Sequence, residues 1–390
     1  MKKNRRSQRG FLSLRLFLAF VFCAASMLLA LLSFAGIPSH SSSSPSGNER
    51  IGHDAKIAPW VLEQTANGGQ AEFLIVMADQ ADLSGASALK TKPEKARFVR
   101  AALWEKAQST QGPALHWLRE QNIEHRSYYV MNLIWAKAGL EVAQALAARS
   151  DVARIEGNPE IRHHLPQPAL ESQAHGPSPE SIETPAGIEP GISHTRAPEV
   201  WSLGYTGQGI VVGDANTGVR WDHNALKSKY RGWNGTTADH NFNWHDSIHS
   251  GSDPCAPNSP QPCDDNGHGS HTMGTMVGDD GAGNQIGMAP GAKWIGCRAL
   301  NASGGGSDAA ILECLEFLLA PYPVSGTPEQ GDPEKAPDVA LYAFGGPASD
   351  VFRPAIAAQR AAGIMPVTLA GNSGGCGGVN NLAPARYDEI

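Results

Sequence analysis

The chain has no surplus of basic residues: 31 Lys and Arg stand against 38 Asp and Glu, a net charge of −7 over 390 residues. That balance argues against a nucleic-acid partner. No Cys-x-x-Cys pair occurs, so no zinc-type ligand spacing is present. Charged residues are few, 18% against 41% hydrophobic, which excludes a disordered chain and describes a globular one. The length argues for two or more domains once any targeting segment is set aside.

Charge is also absent from the run Leu16–Gly36, which comes after a basic head of Lys2, Lys3, Arg5, Arg6 and Arg9. Ser33-Phe34-Ala35 places small residues where a signal peptidase needs them. The run is also long enough to span a bilayer. Residues 1–36 therefore read as a signal peptide or a membrane anchor, the chain's one membrane-directed element, and imply a secreted or extracytoplasmic location. Arg5-Arg6 suits twin-arginine export, but the residues after the pair fit that signal poorly, and Phe22 before Cys23 argues against a lipidated cysteine. Five further cysteines lie beyond: Cys255, Cys263, Cys297, Cys314 and Cys376. Export permits disulfides. Cys255–Cys263 would close a short Pro-rich loop and Cys297–Cys314 is a second candidate pair, with free buried cysteines the alternative.

Residues 37–58 are a Ser-rich linker, and 165–198 a second linker rich in Pro, Ser and Glu. Between them, 59–164 read as a small α+β domain. Strands are expected at Ala71–Ala78, Tyr128–Ala136 and Val152–Ile155, with helices over 93–110 and 139–150. From 199 to 390 the pattern alternates. Strands are expected at 209–213, 293–299, 338–343 and 364–370, and helices from His268, over 307–320 and over 351–362. Continuous apolar strands in such an order predict a parallel sheet with helices on both faces. Sites in these sheets form at the carboxyl ends of the strands, where Asn216, Gly345 and Asn372 fall.

Three ordered motifs carry a resemblance. They are Gly207-Gln208-Gly209-Ile210-Val211-Val212 leading to Asn216-Thr217-Gly218-Val219, the run Asn266-Gly267-His268-Gly269-Ser270-His271-Thr272, and Ala370-Gly371-Asn372. Ile286-Gly287-Met288-Ala289-Pro290 fits as well. Residues 196–372 resemble the subtilases, subtilisin-like serine proteases, and within them the bacillopeptidase F-like group. The resemblance implies an α/β subtilisin-like fold, here C-terminally incomplete, and a ferredoxin-like prodomain over 59–164 cleaved between about 165 and 195. It implies polypeptide substrates, no organic cofactor and no catalytic metal; a structural calcium is an expectation without a located site. The prodomain itself is the other expected partner.

His268 takes the position of the general base, which removes the proton of a serine hydroxyl and returns it to the leaving amine. Asn372 takes that of the oxyanion-hole donor. Gly304, Gly306, Ala343, Phe344 and Gly345 resemble the two edges that clasp an extended peptide. The second edge departs from the group's Asn-Ser-Trp-Gly.

Two departures bear on activity. The family's acid position, just before Thr-Gly, is Asn216. A neutral amide stabilises an imidazolium poorly and is open to holding the wrong His tautomer; such a change lowers turnover by about 10⁴. Asp214 precedes it by two residues on the same strand face, roughly 6–7 Å off, and would need a backbone shift to substitute. The nucleophile's Gly-Thr-Ser-Met-Ala run is not found, so the sequence reads as a fragment or a pseudoenzyme without hydrolytic activity, with peptide or prodomain binding as the alternative role. Gly371–Gly375 reads Gly-Asn-Ser-Gly-Gly, like a chymotrypsin-type nucleophile, but its α/β surroundings are wrong for Ser373 to serve so.

Other clusters read as ordinary surface. His245 and His249, spaced i and i+4, would face a metal on a helix but fit a solvated loop better. Asp264 and Asp265 fit exposed carboxylates better than a calcium site. Asn234-Gly235-Thr236 and Asn301-Ala302-Ser303 match the N-glycosylation pattern.

Overall fold

A computed structural model describes residues 54–162, 187–252, 254–346, 350–372 and 383–390. Expectations for residues 1–36, most of the first linker, most of the second linker, Ser373 and Cys376 lie outside these. Glu49–Ile390 form one compact unit. Among the described residues no helix is long and apolar enough to cross a membrane.

The first layer runs α1 Pro59–Gln64, β1 Ala71–Met77, α2 Lys92–Thr110, α3 Gly112–Glu120, β2 Glu124–Tyr128, β3 Leu133–Ala138, α4 Leu140–Ala147 and β4 Val152–Gly157. The antiparallel strand order β2-β3-β1-β4 is the ferredoxin-like one. β1 is apolar at nearly every position because both its faces are covered. Phe73, Ile75 and Met77 pack with Ala114, Leu118 and Leu146, whereas Leu74 and Val76 join the core of the second layer. Thr91 and Glu94 cap the start of α2 reciprocally, with the Thr91 N–H donating to Glu94 Oε2 at 3.0 Å.

The single strand expected at Tyr128–Ala136 is instead β2 and β3, joined by a turn in which Asn132 has φ 45°. Tyr129, Val130 and Met131 in that turn are buried in the shared core, so their apolar character marks docking rather than strand. α3 was not foreseen; Pro113 at its start breaks it from α2 without ending helical structure.

A short strand, β5 Glu160–Arg162, leads out of this layer. The second region contains β6 Gly187–Ile188, α5 Pro190–His194, α6 Ala197–Ser202, β7 Val211–Asn216, α7 Asn224–Lys227, β8 Trp244–Asp246 and α8 His268–Val277. It continues with β9 Asn284–Gln285, β10 Lys293–Arg298, β11 Gly305–Ser307, α9 Asp308–Leu319, β12 Val339–Tyr342, α10 Arg353–Ala361 and β13 Met365–Thr368. Five strands form a parallel sheet in the order β13-β12-β7-β10-β8. This is the expected α/β architecture. β8 was not foreseen, since three residues within a long polar stretch carry little periodicity.

α9 is buried from Ala309 to Leu319 between the sheet and the first layer. Its Leu312, Leu315 and Leu319 share one core with Leu74, Val99, Leu103 and Trp135. Disulfides join Cys255 to Cys263 and Cys297 to Cys314, so of the alternatives left open these four cysteines are paired rather than free.

Candidate active site

The Asn216 and His268 motifs meet at the start of α8. Asn216 is the last residue of β7 and His268 the first of α8, and both are buried. The ring nitrogen Nδ1 of His268 lies 2.8 Å from Asn216 Oδ1. The Asn216 amide nitrogen donates in the opposite direction, to Thr272 Oγ1 at 3.1 Å and to Asp214 Oδ2 at 3.3 Å. The Thr272 hydroxyl lies 2.9 Å from Asp214 Oδ2. Thr272, one turn beyond His268 on the same helical face, thus joins the site with Asp214.

One carboxylate sets this geometry. Asp264 accepts from the Gly267 and Ser270 N–H groups, each at 2.8 Å, and from the Ser270 hydroxyl at 2.6 Å. It also accepts from the Thr217 hydroxyl at 2.9 Å, while the Gly269 N–H donates to Thr217 Oγ1 at 2.9 Å. The exit of β7 and the start of α8 are thereby tied together. A Cβ on Gly269 would collide with the Gly218 carbonyl, so that contact needs glycine. The expectation of surface carboxylates is therefore wrong for Asp264 and for Asp265. Asp265 pairs at 3.0 Å with Arg298, which is itself fully buried. Both aspartates stabilise backbone turns that sequence spacing alone does not reveal.

Burial holds His268 below the ordinary histidine value; the neighbouring His271 adds to this and Asp264 opposes it. A neutral imidazole near pH 7 is the form a general base needs. Burial pushes Asp214 up to about 7, against the hydrogen bonds from Thr272 and Asn216 and with a further push from Asp264.

Asn372 comes after β13 and its side chain is exposed. The parallel order brings Asn216, Gly345 and Asn372 to the carboxyl edge of one sheet. Ala343 and Phe344 have buried side chains, and Phe344 packs edge-on to Tyr342 and Phe352. Gly304 has φ +74° and turns the chain into β11. β11 pairs antiparallel with β5, Gly305 opposite Arg162 and Ser307 opposite Glu160. A Cβ on Gly305 would crowd Glu160 Oε1 at 2.6 Å, whereas one on Gly306 would meet Leu300 in the core. The Asn301 amide donates to Glu160 Oε1 at 3.3 Å and its carbonyl accepts from the Gly305 N–H, so this glycosylation-pattern residue is part of the same edge.

Neither His245 nor His249 lies on a helix, and His249, in the loop after β8, is half-buried rather than fully solvated. His245 sits on β8, and both point at the buried Glu313 of α9, at 2.7 and 3.0 Å. Glu313 also receives Arg126 and the Tyr128 hydroxyl from the first layer, each at 3.2 Å. One turn on, Glu316 accepts from the Tyr129 and Val130 N–H groups at 2.6 and 3.1 Å. Burial pushes Glu316 up to about 8. Glu313 and Glu316, two acidic residues in the otherwise apolar run from Ala309 to Leu319, were the available signal for this junction. Among the described residues, no group of three or more His, Cys, Asp or Glu side chains is arranged to hold a metal ion.

Residues 207–390 match the subtilase family. Bacillopeptidase F of Bacillus subtilis (strain 168) is 36% identical over 322 residues, which cover 78% of this chain and 21% of that protein. Subtilisin DY of Bacillus licheniformis is 29% identical over 51% of this chain and 61% of its own length. Subtilisin Savinase of Lederbergia lenta is 28% identical over 50% of this chain and 59% of its own. The chain thus spans less than two thirds of each of these relatives.

Proposed function

The chain belongs to the subtilase family, and from that membership and the His268 geometry we propose that it is an exported subtilisin-like serine endopeptidase acting on polypeptides. The observation that carries this is the 2.8 Å contact of His268 Nδ1 with Asn216 Oδ1 at a helix start. With the carbonyl facing the ring, Nδ1–H donates and Nε2 keeps its lone pair for a hydroxyl proton. Asn372 is the proposed oxyanion donor. The backbones of Gly304–Gly306 and Ala343–Gly345 are the proposed peptide edges. The chemistry requires no organic cofactor.

The 390 residues include no Gly-Thr-Ser-Met-Ala run, so by themselves they supply the base and its supports, and we expect no peptide hydrolysis from them alone. Where a serine is present, Asn216 lowers turnover. Part of the roughly 10⁴-fold deficit of an Asp→Asn protease comes from the wrong tautomer. That part is avoided here by the orientation of the amide. The lost negative charge is not.

A second reading, binding without catalysis, is favoured by β5. Residues 160–162 lie on β11 as an added strand, as an inhibitory prodomain spanning 59–164 would. The chain encoded by the whole locus decides between the two. Casein hydrolysis and fluorophosphonate labelling, both abolished by His268→Ala, are expected. A folded product that carries the serine element and does neither overturns the first reading in favour of the second.

A further inference from the structure

We propose that Asp214 is a positioning residue for His268 that acts through Asn216. Its carboxylate captures the amide nitrogen of Asn216 and so turns the amide oxygen toward the ring. This rests on the reading of His268 as the general base.

An asparagine amide has an acceptor and a donor on nearly the same outline, so either end fits against an imidazole. The two choices have opposite consequences. If the nitrogen faced His268, Nδ1 would have to accept and the ring proton would sit on Nε2. The base would then have no lone pair for a hydroxyl proton.

Three neighbours decide the orientation. Asp214 Oδ2 lies 3.3 Å and Thr272 Oγ1 3.1 Å from the amide nitrogen, and the Thr217 N–H lies 2.8 Å from Oδ1. A flipped amide would set its oxygen against a carboxylate and its nitrogen against an N–H group. Asp214 is 1% exposed and Asn216 0%, so water cannot replace the lost bonds. Asp214 reaches the amide because the two residues are i and i+2 on β7 and share a face. A carboxyl group thus stands one hydrogen bond behind the acid position, without the backbone shift that direct contact with His268 would need.

The test is the tautomer of His268 in the chain of residues 1–390 labelled with [15N]histidine, read from side-chain nitrogen shifts at about pH 9. There both His268 and Asp214 are deprotonated; the other titratable groups nearby are Asp264, His271 and Tyr342, and burial pushes the Tyr342 hydroxyl further up. Wild type is expected to carry the proton on Nδ1 alone. Asp214→Ala is expected to lose that single form, with protonated Nε2 appearing. Asp214→Asn, whose carbonyl still accepts from Asn216, is expected to restore the wild-type pattern. Asp214→Leu fills the volume without an acceptor and replaces the alanine variant if that one does not fold. A wild-type proton on Nε2, or a folded Ala or Leu variant with the wild-type pattern, overturns the proposal. No turnover is measured, so a failure of the protease reading leaves this result separately readable.

Discussion

At Glu313 two imidazoles touch a carboxylate directly; at His268 the imidazole touches a neutral amide, and the carboxylate of Asp214 stands one link behind. Both carboxylates are buried. Burial alone would raise each. Glu313 nevertheless lies well below the ordinary range, because hydrogen bonds and positive charge from His245 and His249 outweigh desolvation. Asp214 has only neutral donors, Thr272 and Asn216, and is pushed up to about 7. The charge of the partner, not the depth of burial, sets the direction. Glu313 is built to stay ionised at the junction of two layers, while Asp214 changes charge near neutrality.

The largest expected effect breaks the first arrangement. Glu313→Ala leaves His245, His249, Arg126 and Tyr128 without their shared acceptor and should cost about 3–5 kcal/mol. Denaturant unfolding measures it, and unchanged stability would show the cluster to be idle. Next, Asn216→Asp would make the second arrangement resemble the first. The His268 titration midpoint should rise by about 1–3 units, the effect of an opposite charge in contact. NMR titration reads this, and no rise would mean that the new carboxyl is held neutral beside Asp214.

Asp214→Asn tests the neutral-donor side. The folded value of Asp214 is raised above the unfolded one, near 3.8. Between about pH 4 and 7 the unfolded chain therefore holds fewer protons, and wild-type stability falls as pH rises through this window. The facing groups are Asn216, Thr272, His268, Asp264 and Tyr342. The variant should be free of this fall, worth about 3 kcal/mol; parallel stability–pH curves would contradict it. The smallest effect concerns His249, raised by Glu313 despite its burial. Its contribution is present below the unfolded value of 6.5 and is lost as pH rises through the raised folded one. His249→Gln should cost about 1–2 kcal/mol at pH 6 and little in alkali. An equal cost at both pH values would point to packing instead.

The parallel sheet was legible because β7, β10 and β12 are apolar runs set between helices with one polar face or none. His268 was legible because its flanking residues are distinctive. What could not be read is what depends on folding at a distance. Nothing local marks Tyr129–Met131 as a docking turn rather than strand, since burial against α9 supplies the same apolar residues. His245 and His249 look like a helical pair by spacing, but pairing of β8 with β10 directs His245, and contact of the His249 Nδ1 with Asn258 helps direct His249, at Glu313. Asp214 was visible as a nearby acid. Its bond to the amide nitrogen rather than to the histidine depends on Thr272 and Thr217, which only the fold assembles.

The pairing of β5 with β11 has a kinetic meaning. On the proposed reading of β11 as a peptide edge, an outside peptide competes against a tethered strand rather than a dissolved one, because residues 160–162 and 305–307 belong to one covalent chain. The effective concentration of a short tether is on the order of millimolar. Occupancy of that edge is then insensitive to protein dilution, and a single backbone cut between 162 and 187 would convert it into an ordinary concentration-dependent equilibrium.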